Sequence, residues 1–176
     1  GQGCLMDKVG EYLGMQIHFD DLDRDNVEFF RHCGRHQLHL QRCSDCLLKR
    51  YPPTTACPYC GAPGVTWEPV AGHGTLYSYG EIHHAIQPAF RPFTPYLLLL
   101  VELDEQRNTP GEDDGLRLQG NLVTPEGELG SVDLIERVGI GTRLRIVYKD
   151  LGGEFALPQW TIDEEAEQPE PWRYPG

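Results

Sequence analysis

Two Cys-x-x-Cys pairs, Cys43-Ser44-Asp45-Cys46 and Cys57-Pro58-Tyr59-Cys60, stand ten residues apart and constrain this chain more than any other stretch. Each pair turns so that both sulfurs face inward, and the short spacer brings four thiolates to where one tetrahedral ion takes them all. Such a closed set leaves no open position for water or substrate, so the ion is structural. Thiolates suit both zinc and iron. Zn2+ is the default, and iron is the alternative because Cys57-Pro58-Tyr59-Cys60-Gly61 has the rubredoxin type of knuckle. Bridging neighbours three apart as disulfides is geometrically poor. Cys33 lies in an apolar helical stretch and Cys4 near the beginning, so they read as a buried small hydrophobe and a free surface thiol.

The ribbon cannot supply a core by itself, and the rest of the 176 residues, 39% apolar overall, must do so. The longest apolar run, Tyr96 to Val101, stops at Glu102, far short of the eighteen residues or so that a membrane span needs. Thiolate ligands without a secretory signal point to a reducing cytoplasm. The formal charge is −12, with 27 acidic against 15 basic side chains, and phosphate backbones repel such a chain at long range.

Taken in order, Leu13, Met15, Ile17 and Phe19 alternate with polar or small residues, which predicts one half-buried strand ended by Asp20-Asp21-Leu22-Asp23. The chain opens on Gly1 rather than Met, so it reads as processed or as a piece of a longer polypeptide, and the strand reads either as part of a neighbour's sheet or as an ordinary edge strand. Asp25 or Asn26 caps a short helix through Val27, Phe30 and Cys33 that Gly34 ends. Leu38 to Arg42, Leu47 to Tyr51 and Val65 to Val70 form the ribbon strands. Five strand patterns follow, at Gly74 to Ile86, Tyr96 to Leu103, Leu116 to Val123, Arg143 to Lys149 and Phe155 to Ile162, with a short helix over 132–138. A helix between the third and fourth of five strands is the order of an OB-fold barrel. Residues 104–115 read as a solvated loop, and the Pro-rich acidic tail from Asp163 as disordered unless Trp172 and Tyr174 anchor it. The expected fold is mainly β: an N-terminal extension over 1–25, helix and ribbon over 26–70, a five-stranded barrel over 71–163 and a tail over 164–176.

The pair Phe29-Phe30, the segment Gln41 to Cys46, Tyr51-Pro52-Pro53, the second knuckle, Trp67, Gly72-x-Gly74-Thr75-Leu76-Tyr77-Ser78-Tyr79 and Gly141 to Ile146 appear in one order at familiar spacings. Together they resemble the acyl-CoA-associated family that joins a rubredoxin-like zinc ribbon to an OB-fold, over about residues 25–163. The loop from Glu105 to Gly115 and the 25-residue lead depart from the common pattern. The resemblance implies a small non-catalytic partner of a thiolase-like enzyme: a thiolase, an acyltransferase or a steroid side-chain retro-aldolase. It further implies a heterotetramer or similar assembly with acyl-CoA at the shared interface, and in some members a hydratase-like domain.

Cys43, Cys46, Cys57 and Cys60 are then the metal ligands, and no catalytic residue is assigned. The segment Ile82 to Arg91 joins the first two barrel strands, an edge where OB-folds meet ligands. One reading has His83, His84, Phe90 and Arg91 border the acyl-CoA channel, with Arg91 meeting a phosphate. The other makes the histidines strand-end residues bonded to backbone, and Phe90 core. Independent catalysis has only Cys33 or Cys4 with His83 or His84 to draw on, and no spacing joins them. A single-stranded nucleic-acid binder is the competing class, resting on Tyr77, Tyr79 and Trp160, and the charge opposes it.

Overall fold

The computed structural model describes residues 9–19 and 22–175. The lead is a hairpin, not a single strand: β1 (Val9–Tyr12) pairs with β2 (Met15–His18) in antiparallel register. Leu13 at φ 52 and Gly14 at φ 80 take the left-handed backbone that a two-residue turn of this twist demands. The hairpin belongs to this chain's own packing, since the Glu11 amide donates to the Leu151 carbonyl (2.6 Å) and Phe19 stacks on Phe155 at 4.0 Å. Tyr12, Phe19, Val27, Leu151 and Phe155 form a small second core there. Asp20 and Asp21, read as ending the strand, lie outside the described residues, as does Cys4.

Helix α1 (Arg24–Gly34) starts two residues before the expected position, because Asp23 rather than Asp25 or Asn26 is the cap. Its carboxylate accepts from the Asn26 amide at 2.9 Å and satisfies a first-turn donor. Asp25 is instead buried in the first turn, and Gly34 is the last helical residue rather than the one beyond the end. Phe29 and Cys33, four apart, share a face and enter the main core, while Val27 turns to the second one.

The ribbon sheet has the order β4-β3-β5, with β3 at His39–Cys43, β4 at Lys49–Arg50 and β5 at Val65–Pro69. The barrel is five-stranded, in the order β10-β9-β6-β7-β8, from β6 (His73–Ile82), β7 (Tyr96–Leu103), β8 (Arg117–Asn121), β9 (Arg143–Asp150) and β10 (Ala156–Ile162). A parallel bridge between Leu122 and Trp160, with the Val123 amide donating to the Trp160 carbonyl (2.8 Å), brings the two outer strands together. Helix α2 (Val132–Glu136) lies between the third and fourth barrel strands and contributes Leu134 and Ile135 to the core. The chain is therefore a mainly β protein with an OB-fold barrel. Leu97, Leu99, Val101 and Leu103 alternate inward on β7 toward the fully buried Trp160. The same cluster takes in Phe29, Leu38 and Leu40, so helix, ribbon and barrel share one core.

Two segments read as loose are held in place. In the loop after β7, Gln106 uses both ends of its amide on one residue, accepting from the Lys49 amide and donating to the Lys49 carbonyl, each at 2.7 Å. The side chain so extends the ribbon edge as a strand would. The tail is ordered rather than disordered. Ile140 and Trp172 exchange backbone hydrogen bonds (2.6 and 3.2 Å), and Arg173 donates to the Ile135 and Val138 carbonyls at the end of α2 (2.6 and 3.0 Å). Trp172 and Tyr174 do anchor it, the Tyr174 amide donating to the Tyr79 hydroxyl at 2.9 Å. Among the described residues, no helix is long and apolar enough to cross a membrane.

Candidate metal centre

The two knuckles are built alike. The Leu47 amide donates to the Cys43 carbonyl (3.1 Å) and the Gly61 amide to the Cys57 carbonyl (2.8 Å). One residue further on, the Leu48 and Ala62 carbonyls accept from the Cys43 and Cys57 amides, both at 2.9 Å. Leu47 (φ 66) and Gly61 (φ 78) hold the equivalent left-handed position, which explains Gly after the second pair; the first knuckle places a leucine there. The Ser44 amide donates to the Gly64 carbonyl (3.0 Å) and ties one knuckle to the other. Arg42 braces the first, donating to the Leu47 carbonyl at 3.0 Å and pairing with Glu68 at 2.9 Å.

This geometry brings together all four predicted ligands. Their sulfurs lie within 4.8 Å of one another, with Cys43 to Cys60 and Cys46 to Cys57 at 3.6 Å. Zinc–sulfur bonds of about 2.3 Å arranged tetrahedrally put the sulfurs about 3.8 Å apart, so the set fits one such ion. Cys43 and Cys57 are buried, Cys46 is half-buried and Cys60 exposed. The Cys46 and Asp45 amides pull the Cys43 thiol below its ordinary value. Burial pushes Cys57 up, yet the Cys60 and Tyr59 amides outweigh it and bring that thiol down to about 6. For Cys46 the Leu48 amide pulls downward, but burial and the neighbouring sulfurs carry it up to about 12. Four anionic sulfurs this close repel one another, and a divalent cation is what lets all of them shed their protons. The four cysteines can therefore hold a metal ion, with no position left over for substrate.

The other predicted residues lie on one connection, between β6 and β7. His83 and His84 are exposed just past β6, with His83 Nε2 at 3.7 Å from a Glu81 carboxylate oxygen. Arg91 is exposed in a 3-10 turn over Pro88–Phe93. Phe90, on the same turn, faces Tyr12 and Tyr96 with ring centroids 5.7 and 5.4 Å away, and so packs against the second core. Sequence reasoning passed over Leu47 and Tyr59, one on each knuckle, 55% and 40% exposed. Their only signal is an apolar or aromatic side chain next to a ligand cysteine, Leu47 after Cys46 and Tyr59 before Cys60. Cys33 is fully buried, and burial pushes its thiol up to about 12, the opposite of an activated nucleophile.

A four-cysteine ribbon that can hold one metal ion, sharing its core with an OB barrel, defines a ribbon-and-barrel module, and Cys33, the described cysteine outside the cluster, is buried with its thiol pushed up. The family model described as the C-terminal OB-fold domain of ChsH2 matches residues 67–149. A solved chain of the Ltp2-ChsH2(DUF35) aldolase is similar with a TM-score of 0.62 and 32% identity, covering 80% of this chain and 96% of that one. The chain belongs to the DUF35 family, with ChsH2 among its relatives. It is also 40% identical over 104 residues to the "Probable enoyl-CoA hydratase alpha subunit" of Thermomonospora curvata, a match that takes in 58% of this chain. That match spans only 28% of the curated relative's length.

Proposed function

We propose that this chain is a zinc-binding accessory subunit that completes a thiolase-like enzyme acting on acyl-CoA, with the catalytic groups on the partner. The observation that carries the reading is the similarity to a chain of an aldolase complex over almost all of that chain's length. The buried, unreactive Cys33 supports it, and so does a relative whose name contains a CoA-ester activity. In this reading Cys43, Cys46, Cys57 and Cys60 bind Zn2+ and hold the ribbon in shape, and the exposed Leu47 and Tyr59 present apolar surface to the partner. His83, His84 and Arg91 meet the acyl-CoA as it approaches, while Phe90 holds their turn against the barrel. The partner's step is a carbon-carbon cleavage of the retro-aldol type or the reverse condensation, in steroid or fatty-acyl metabolism. The lead over 1–25, the helix and ribbon over 26–70, the barrel over 71–163 and the tail over 164–176 are its working parts.

Co-expression with the thiolase-like product of a neighbouring gene tests this. A complex of fixed stoichiometry that survives size exclusion, with one zinc per copy of this chain, is the expected result. Failure to associate would overturn the reading, and tight salt-sensitive binding of an oligonucleotide would overturn it in favour of a nucleic-acid role.

A further inference from the structure

A groove crosses the outer face of β6, β7 and β8. Because Leu97, Leu99 and Val101 point inward, Leu98 and Leu100 face outward, half-buried and apart from the core. They form its floor with Gln119. One lobe, of about 350 Å³, runs beside Ser78, Tyr79 and Gly80; the other, of about 240 Å³, shares Leu98 and Gln119 with it and reaches Phe30, Tyr51 and Pro158 under α1. A Cβ added at Gly80 meets nothing within 4 Å, so that end is open.

No charged side chain lines either lobe, in a chain that is 24% charged with a net charge of −12. The polar side chains there, Tyr51, Ser78, Tyr79, Gln119, Asn121 and Gln159, offer three hydroxyls and three amides. A phosphate or carboxylate seated in the groove would lose its water without gaining a counter-ion, which excludes anionic ligands and anionic ends of ligands. An uncharged chain of methylenes interrupted by amides matches both surfaces. The face of the second and third strands is also where OB barrels take elongated ligands, and those strands are β7 and β8 here. Gly80 pairs with Leu98, and Ile82 with Tyr96, so the groove ends two residue steps, about 7 Å, from the connection that carries His83, His84 and Arg91.

We propose that this groove takes the pantetheine arm of a CoA thioester, leaving the phosphates to Arg91 on the connection beside it. The assignment rests on the acyl-CoA reading above. The test titrates the full chain with pantetheine, which has no phosphate, and follows the leucine methyl resonances by NMR. Saturable shifts at Leu98 and Leu100 are expected. Gly80→Val, which adds methyl groups to open space on a strand, should weaken the binding by about tenfold or more and leave the melting temperature unchanged. Absence of shifts at these methyls, shifts centred elsewhere, or equal binding by Gly80→Val would overturn the groove assignment. The accessory-subunit reading has its own readout, association with the thiolase-like protein, so either can fail without the other.

Discussion

The ribbon and the barrel are held by different forces although they share a core. The barrel closes on an apolar lattice of β7 leucines around Trp160, a side chain with no exposed surface. The ribbon has a two-residue edge strand, and its interior includes a glutamine and an arginine: Gln41 accepts from Arg50 Nε at 3.0 Å and from the Thr54 amide at 2.8 Å. Gln41 Nε2 and Arg50 Nη1 are buried with no partner among the described residues, so this polar interior gives little net stability. What the barrel obtains from burial, the ribbon would obtain from an ion held by the four sulfurs, which are placed to take one. The lesson is that one core does not imply one source of stability.

The largest effect separates these sources. Cys60→Ser removes one of the metal's thiolates, and structural zinc contributes on the order of 10 kcal/mol to folding such a site. Bound zinc should fall to near zero, and hydrogen exchange should become fast over 39–69 while the amides of β7 stay protected. Equal loss of protection in both regions would mean that the barrel depends on the ion as well. Trp160→Ala attacks the other side. Removing a fully buried tryptophan costs about 3–5 kcal/mol, and chemical denaturation should show it with zinc still bound.

The contrast also explains what could be read from the sequence. The ribbon was legible because ligand spacing is a local signal, and the barrel because Tyr96 to Leu103 and its neighbours repeat with strand periodicity. The hairpin was not, since Leu13 at positive φ is a turn residue that its chemistry does not advertise. Nor were the contacts of Gln106 and Arg173, whose partners at Lys49 and Ile135 lie 57 and 38 residues away. The outward Leu98 and Leu100 were hidden inside a run that reads as continuously apolar, so the groove emerged only from the alternation of burial.

Smaller changes sharpen the picture at the barrel's edges. Arg173→Ala removes two bonds to the carbonyls at the end of α2 and should cost about 1–2 kcal/mol, seen as faster exchange at the α2–β9 junction with the ribbon unaffected. The least effect is expected at Asp104, half in solvent, whose carboxyl the Arg143 guanidinium beside it holds below the ordinary 3.8. A depressed carboxylate stabilises the fold above its unfolded value and loses that contribution as pH falls through its folded value. Asp104→Asn should therefore cost under about 1 kcal/mol near neutrality, and the difference from the parent should vanish as pH drops well below about 4. Thermal melts across that range measure it.

The most direct test of the whole account is acyl-CoA turnover measured for this chain alone, for the thiolase-like protein alone and for the two together. Turnover is predicted to need the thiolase-like protein and to rise when this chain joins it, with none from this chain by itself. Turnover by the purified chain unaided would contradict the claim that its surfaces, and not reactive groups of its own, are what it contributes.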